Sequence, residues 1–440
     1  YQALRFMDWM RTNNSGVTTW ASRAKSTDAR FSTEKGVPVE VMVELANATE
    51  KAPWFNIPHQ ANDEFVTNFA TVVRDTLLTS LPIYVEYSNE VWNSAFAQGG
   101  WVEDQGAAEW PGSSESRFTK RINYYGKRSA EVCDIWRSVF GASPERVVCV
   151  MASQAANSWT ASEALACPLW NEEPCAGHGI RVLAIAPYMG DYLGQEDSAQ
   201  DVVQWGASAS GLTKLFSELS SGGELSGGPN GGAISQSFGW IEANKTVADA
   251  FGLALVSYEG GQHLVGVGSA SNNNTLTSLF TSANRDSRMG TLYASYLEGW
   301  EARGGGLFMH FTDIGSYSKY GSWGALEVIG QTASPKYNAL WTYSLGIAPP
   351  ISPAPTPRPS RSITVSKQGR GEVRSSPSGI RCGSRCTAKF SKAKVVTLKS
   401  FPLPGYRFIT WKGACSHTRR SCDVTLPTSL KATAVFARVK

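Results

Sequence analysis

Up to about residue 346 the chain alternates short β-prone apolar runs with longer stretches of helical period. The strand-like runs cover residues 4–9, 39–45, 83–88, 146–151, 181–187, 253–258 and 306–311, and the helical stretches include 63–79, 117–140, 199–219 and 284–302. This alternation predicts a parallel sheet with crossover helices. Seven strands are visible, one fewer than a closed eightfold barrel needs. Gly- and Asn-rich segments at 221–239 and 260–274 read as long surface loops. From residue 362 the pattern changes to short strands at 362–366, 394–400, 406–411 and 431–436 separated by turn signals.

Almost every strand in the first part ends in residues too polar for its body. Ile83, Tyr84, Val85 and Tyr87 suit a buried strand, yet the same stretch carries Glu86 and then Asn89 and Glu90. Arg5 and Asp8 lie in the first run, Glu44 and Asn47 end the second, and Gln154 and Asn157 follow the fourth. Tyr188 and Asp191 close the fifth, Glu259, Gln262 and His263 the sixth, and His310 with Asp313 the seventh. A nearly complete set of polar C-terminal strand ends is what the active-site rim of a β/α barrel looks like.

Charge divides the chain in the same place as the pattern. Residues 348–361 are rich in proline and read as an extended linker between a barrel at 1–347 and a small module at 362–440. From Arg361 onward 17 Lys and Arg face 2 acids, a net of +15, whereas the rest carries 24 against 35, a net of −11. So basic a tail suggests an anionic partner such as a cell wall or acidic polysaccharide, against the plainer reading of a solvated surface. Nucleic acid is disfavoured because the tail's aromatics form no single-strand-binding motif.

The eight cysteines fall in close pairs, Cys133/Cys149, Cys167/Cys175, Cys382/Cys386 and Cys415/Cys422, which reads as local disulfides and an oxidising, extracellular compartment. No Cys-x-x-Cys spacing occurs and the five histidines are scattered, so neither a metal nor another cofactor is expected. No apolar run is long enough for a membrane span.

Glu90 and Glu259 both end barrel-like strands, and a barrel turns such positions toward a common mouth. Two facing carboxyls are the minimum equipment to cleave a glycosidic bond. Competing chemistry is missing: no Gly-x-Ser-x-Gly nucleophile turn occurs, and Gly304 to Gly306 precede a strand instead of opening a helix. Residues 1–346 resemble clan A of the glycoside hydrolases, the retaining β/α-barrel enzymes that include the family-five cellulases and mannanases. The resemblance rests on Asn89-Glu90 and Ser257-Tyr258-Glu259, placed at the clan's fourth and seventh strands if the first visible strand is its second. It implies a (β/α)8 barrel lacking its first strand, with Glu90 as acid/base and Glu259 as nucleophile. It further implies that Arg5 and Tyr188 keep Glu259 ionised, that Asn89 bonds the substrate's 2-hydroxyl, and that Glu86 is a buried structural carboxylate. Val91 and Ala186 stand where many relatives carry Pro and His.

Other candidates remain open between binding and packing. His59 could line the cleft or be a loop histidine bonded to backbone, and His310 could face the barrel or be a satisfied core histidine. Trp323 sits where clan members often place a sugar-stacking ring, while Trp54 and Trp92 suit the cleft or the core. The tail, with Gly371-Glu372-Val373, Ser376-Pro377-Ser378-Gly379-Ile380, Pro404-Gly405-Tyr406 and Trp411-Lys412-Gly413-Ala414-Cys415, is similar to bacterial repeat modules of the internalin-B type. The expectation is therefore a secreted or cell-surface bacterial hydrolase of β-linked polysaccharide. The alternatives are a transglycosylase with the same carboxyl pair, or a non-catalytic carbohydrate-binding or adhesion protein on the same barrel.

Overall fold

The structure is a computed structural model that describes residues 2–170, 173–344, 360–391, 395–425 and 430–439. The chain forms two compact units, Tyr1–Tyr337 and Asn338–Lys440. Most of the expected linker, up to residue 359, lies outside the described residues.

In the first unit seven strands form one sheet in chain order, every neighbouring pair parallel. They are β1 (Ala3–Arg5), β2 (Ala52–Ile57), β3 (Ile83–Tyr87), β4 (Val147–Ser153), β5 (Ile180–Ile185), β6 (Ala254–Ser257) and β7 (Gly305–Phe308). The crossovers are α1 (Val39–Thr49), α2 (Asp63–Thr76), α3 (Ala97–Glu109), α4 (Arg117–Phe140), α5 (Ser158–Ala166), α6 (Glu196–Gly206), α7 (Gly211–Ser220), α8 (Gly232–Ala250), α9 (Asn274–Arg285) and α10 (Ser287–Ala302). β2, β3 and β4 are buried along their whole length, as sheets covered by helices require. This is the expected β/α-barrel architecture with seven strands, and β1 and β7 are its edges. The sheet is strongly curled. Five strand intervals at about 4.8 Å would put β1 and β6 roughly 24 Å apart in a flat sheet, yet Arg5 on β1 reaches Glu259 just past β6 at 2.8 Å.

The second strand is not at 39–45. That run alternates Val-Glu-Val-Met-Val-Glu-Leu and reads as extended, but it forms α1, with Val39, Met42, Val43 and Ala46 buried at helical spacing. Glu44 and Asn47 therefore leave the rim, and Asn47 instead bonds Thr76 and Leu78. The actual β2 was hidden by Pro53. Proline is tolerated because Ala52 and Trp54 supply the bonds to β1, and pairing with β3 begins only at Trp54. Three smaller differences have local causes. The stretch 199–219 breaks at 207–210, where Gly211 packs on the Trp205 carbonyl too closely for any Cβ. Asp286 caps a new helix inside 284–302, and the loop expected at 221–239 is cut short by α8.

In the second unit eight strands form two four-stranded sheets. One has the order β10 (Arg381–Cys382), β9 (Gly371–Ser376), β12 (Val395–Pro402), β14 (Ser421–Thr425), and the other β11 (Thr387–Ser391), β8 (Ser360–Gln368), β15 (Leu430–Arg438), β13 (Tyr406–Gly413). Ile363, Val365, Val373, Leu398, Trp411 and Phe436 lie in one shared core. All four expected disulfides form. Cys133–Cys149 ties α4 to β4, and the two in the small unit reinforce a core of few residues. No described helix is long and apolar enough to cross a membrane.

Close packing of α4 on α5 depends on Gly126, where an added Cβ would fall 2.2 Å from the Ala164 carbonyl oxygen, whereas Gly100 in α3 faces open space. Gly126→Ala is expected to lower stability by about 1–3 kcal/mol, and Gly100→Ala to leave it unchanged or raise it by up to about 1 kcal/mol. Urea denaturation followed by tryptophan fluorescence reads both; equal midpoints would show that the helices do not meet through Gly126.

Candidate active site

β3 ends at Tyr87 and the chain turns sharply, with Ser88 and Glu90 in the left-handed region at φ 61° and 41°. Non-glycine residues held there cost about 1–3 kcal/mol each, and such strain collects at functional sites. The turn leaves Glu86 inside the barrel and brings Asn89 and Glu90 to its C-terminal end. At β6 regular pairing ends with Ser257, so strict alternation ends too. Tyr258 and Glu259 can therefore both take part in the site.

Arg5 joins these pieces. Its guanidinium donates to both oxygens of Glu86 at 3.0–3.2 Å, to Oδ1 of Asn89 at 2.9 Å and to Oε1 of Glu259 at 2.8 Å. It packs by the rings of Trp54 and Tyr258, 5.7 and 5.0 Å from their centroids. Trp54 donates its indole N–H to Glu86 at 2.8 Å. Tyr188 donates to the other oxygen of Glu259 at 2.9 Å. Glu90 accepts from the Tyr258 hydroxyl at 2.8 Å and from Asn93 at 3.1 Å. The ends of β1, β3, β5 and β6 thus meet in one network that contains both carboxyls.

The electrostatics are a contest between burial and charge. Burial would lower the pKa of the Arg5 guanidinium, but Glu86 and Glu259 overcome it, and the group is held above its usual range. Burial pushes the Glu86 carboxyl up while Arg5 and Trp54 pull it back. Glu259, whose side chain is 12% exposed, is pushed up to about 7 by burial together with the Glu90 charge, against the opposing pull of Arg5 and Tyr188. Arg5 and Tyr188 do favour the ionised form, as expected, but burial outweighs them. Burial and the neighbouring carboxylates hold the Tyr188 and Tyr258 hydroxyls well above the phenol range, so both remain donors.

Several supporting residues gave no signal in the sequence. Asn13 accepts from Asn89 at 3.0 Å and from Gln98 at 2.7 Å, and Gln98 also bonds the Asn89 carbonyl. These contacts fix the Asn89 amide, and no second acceptor for its N–H occurs among the described residues. Trp323, Tyr188 and His263 form a cluster of edge-to-face rings with centroids 5.0–5.8 Å apart. Buried Lys336 donates to the carbonyls of Ser322 and Trp323 and so supports the loop that carries the ring. Trp54 is fully buried under Arg5, and Trp92 packs on Tyr125 and Tyr258.

The two expected binding histidines are not drawn into the network. His310 sits 3.2 Å from the Tyr293 hydroxyl and 3.1 Å from the Thr312 carbonyl, and burial lowers it to about 3. His59 is buried beside Trp101 and Gln60, and burial lowers it to about 4. No described hydrogen bond joins either ring to Glu90 or Glu259. No group of three or more potential metal ligands occurs among the described residues.

Residues 362–440 match the sequence model of the Divergent InlB B-repeat domain, in keeping with the tail's resemblance. No curated protein matches the chain by sequence. Among solved structures the chain is similar to a 4-O-α-L-rhamnosyl-β-D-glucuronidase from Fusarium oxysporum 12S, with TM-score 0.46 and 12% identity over 88% of this chain and 79% of that one. It is also similar to a GH5-4 broad-specificity endoglucanase from an uncultured bacterium, with TM-score 0.38 and 12% identity over 71% and 74%. A third is a modular endo-β-1,4-mannanase from Cellulomonas fimi, with TM-score 0.32 and 11% identity over 90% and 81%. Scores this low carry no functional argument, which must come from the side chains of this chain.

A carboxyl raised in the folded protein binds its proton more tightly there than when unfolded, so its ionisation removes stability as pH rises from the unfolded value to the folded one. For Glu259 that window runs from 4.5 to about 7. Glu259→Gln, which mimics the protonated group, is expected to gain stability relative to wild type across this window, by up to about 3 kcal/mol. Denaturant midpoints between pH 4 and 8 measure it, and a difference that does not vary with pH would rule out the raised carboxyl.

Proposed function

We propose that the barrel unit hydrolyses β-glycosidic bonds in a polysaccharide with retention of configuration, Glu259 acting as nucleophile and Glu90 as acid/base. The observation that carries this reading is that two hydrogen-bonded sets, Tyr258–Glu90 and Arg5–Glu259–Tyr188, meet where the Arg5 guanidinium lies 5.0 Å from the Tyr258 ring centroid.

The chemistry needs one proton on the pair. Glu90 gives it to the leaving oxygen while Glu259 attacks the anomeric carbon, and a glycosyl ester forms. Glu90 then takes a proton from water, whose oxygen displaces Glu259 and restores the starting state. Burial and the Glu90 charge push the Glu259 carboxyl up to about 7, so the ionised form that attacks is within reach near neutral pH. Arg5 and Tyr188 aim the oxygens of Glu259 and stabilise its charge when it leaves. Tyr258 and Asn93 orient Glu90.

Asn89, with no second acceptor for its amide N–H among the described residues, is placed to bond a substrate hydroxyl, and Trp323 beside Tyr188 offers a ring face for a sugar. His59 and His310 lie outside this hydrogen-bonded network and take no part in the proton steps. Four disulfides fit an oxidising, extracellular setting, with residues 348–361 as the tether between barrel and repeat module.

Glu259→Gln is expected to abolish turnover of aryl β-glycosides. Glu90→Ala is expected to lose about 10²- to 10⁴-fold in kcat and to recover with azide, releasing a glycosyl azide of retained configuration. Chromatography and NMR of the products provide the measurement. Wild-type turnover in both variants would end the assignment, and an inverted product would end the nucleophile role of Glu259.

A further inference from the structure

The small unit has two outer faces of different electrical character. Its two acids, Glu372 and Asp423, both lie in the sheet β10-β9-β12-β14, where Glu372 accepts from Arg374 and Arg381 at 2.9 and 2.7 Å and Asp423 accepts from Thr397 at 2.6 Å. The strands of the other sheet, β11-β8-β15-β13, contain no Asp or Glu. Strand alternation sorts their residues. Ile363, Val365, Phe390, Trp411 and Phe436 turn into the core. Thr364, Ser366, Lys389, Arg407, Lys412, Lys431 and Thr433 then fall on the outer side.

Pairing sets these residues in rows. Thr387, Thr364 and Lys431 stand abreast on three adjacent strands, as do Ser366, Thr433 and Lys412, and Lys389 stands opposite Ser362. Thr387 bonds Thr364 at 3.1 Å, and the hydroxyls of Ser366 and Thr433 meet at 2.6 Å. Lys412 and Lys431 are diagonal neighbours, with Cβ atoms roughly 7 Å apart. None of Lys389, Arg407, Lys412 and Lys431 forms an ion pair among the described residues. The result is a surface of cations and hydroxyls with no acidic partner among the described residues.

We propose that this outer face binds an extended carboxylate-bearing polysaccharide, a polyuronate. Its lysines and Arg407 meet successive carboxylates, and the Ser/Thr rows bond the sugar hydroxyls between them. The chemistry favours a glycan over single-stranded nucleic acid. Base stacking needs exposed rings, and Tyr406, Phe408 and the other rings of this sheet pack against the core.

The test is retention of the full chain on immobilised polygalacturonate, with dextran as the neutral control and RNA as competitor, in low and high salt. Wild type is expected to bind polygalacturonate and not dextran, and to be released as salt rises because the contacts are exposed charges. The double variant Lys389→Gln/Lys431→Gln is expected to bind at least about tenfold more weakly, two lost charge contacts of about 0.7 kcal/mol each making one factor of ten. Lys399→Gln, on the opposite sheet, is expected to change binding by less than about twofold. Circular dichroism confirms that each variant is folded. Equal losses in Lys399→Gln and the double variant, retention insensitive to the double variant, or preferential capture of RNA would each overturn the assignment. Glu259→Gln should bind like wild type, so failure here is separable from failure of the barrel's catalytic reading.

Discussion

The barrel unit depends on one guanidinium. Arg5 projects from the first strand and satisfies Glu86, Asn89 and Glu259 together, from the ends of the third and sixth strands. No other side chain can do this. A lysine would offer a compact charge, whereas the planar fork of arginine presents five donors to several acceptors at fixed angles. Removing the guanidinium from such a buried arrangement typically costs about 3–5 kcal/mol, because the buried carboxylates are left uncompensated. The same contact that spans the curled sheet therefore also bears on the charge of the site, opposing the burial that raises Glu259.

This coupling explains which parts of the protein were legible in the sequence. Polar residues at strand ends announce themselves whatever the exact strand boundaries, because a buried apolar run leaves few other reasons for a carboxylate, an amide and an arginine. Arg5, Glu86, Asn89, Tyr188 and Glu259 do converge on one network, joined through Tyr258 to Glu90. The second strand was not legible. Val39 to Leu45 satisfies both a period of two and a helical face, and the chain resolves the ambiguity by burying Val39, Met42, Val43 and Ala46 on one side of a helix. The real strand carries Pro53, which argues against a central strand unless one knows which edge of that residue is already unpaired.

Less legible still were the residues that act through others. Asn13 and Gln98 are about 85 positions apart and meet only because the turn after the third strand brings the Asn89 amide between them. Tyr258 was visible only as a neighbour of Glu259, yet it bonds Glu90, 168 positions away. The protonation of Glu259 has the same origin. Sequence identifies the cation and phenol that favour its charge, but whether burial outweighs them depends on how much water the folded walls exclude.

The small unit shows how bulk charge becomes directional. A net of +15 on so small a module repels itself, and nothing in that number says which surface bears the repulsion. Alternation along each strand and the register between strands decide it. One sheet offsets part of its charge internally, since Glu372 pairs with both Arg374 and Arg381. The other carries no acid on any of its strands, so its lysines can be relieved only from outside, by counterions in solution or by an anionic chain long enough to span several strands. The polymer has the advantage, because binding its carboxylates together confines one molecule where separate counterions would each have to be held.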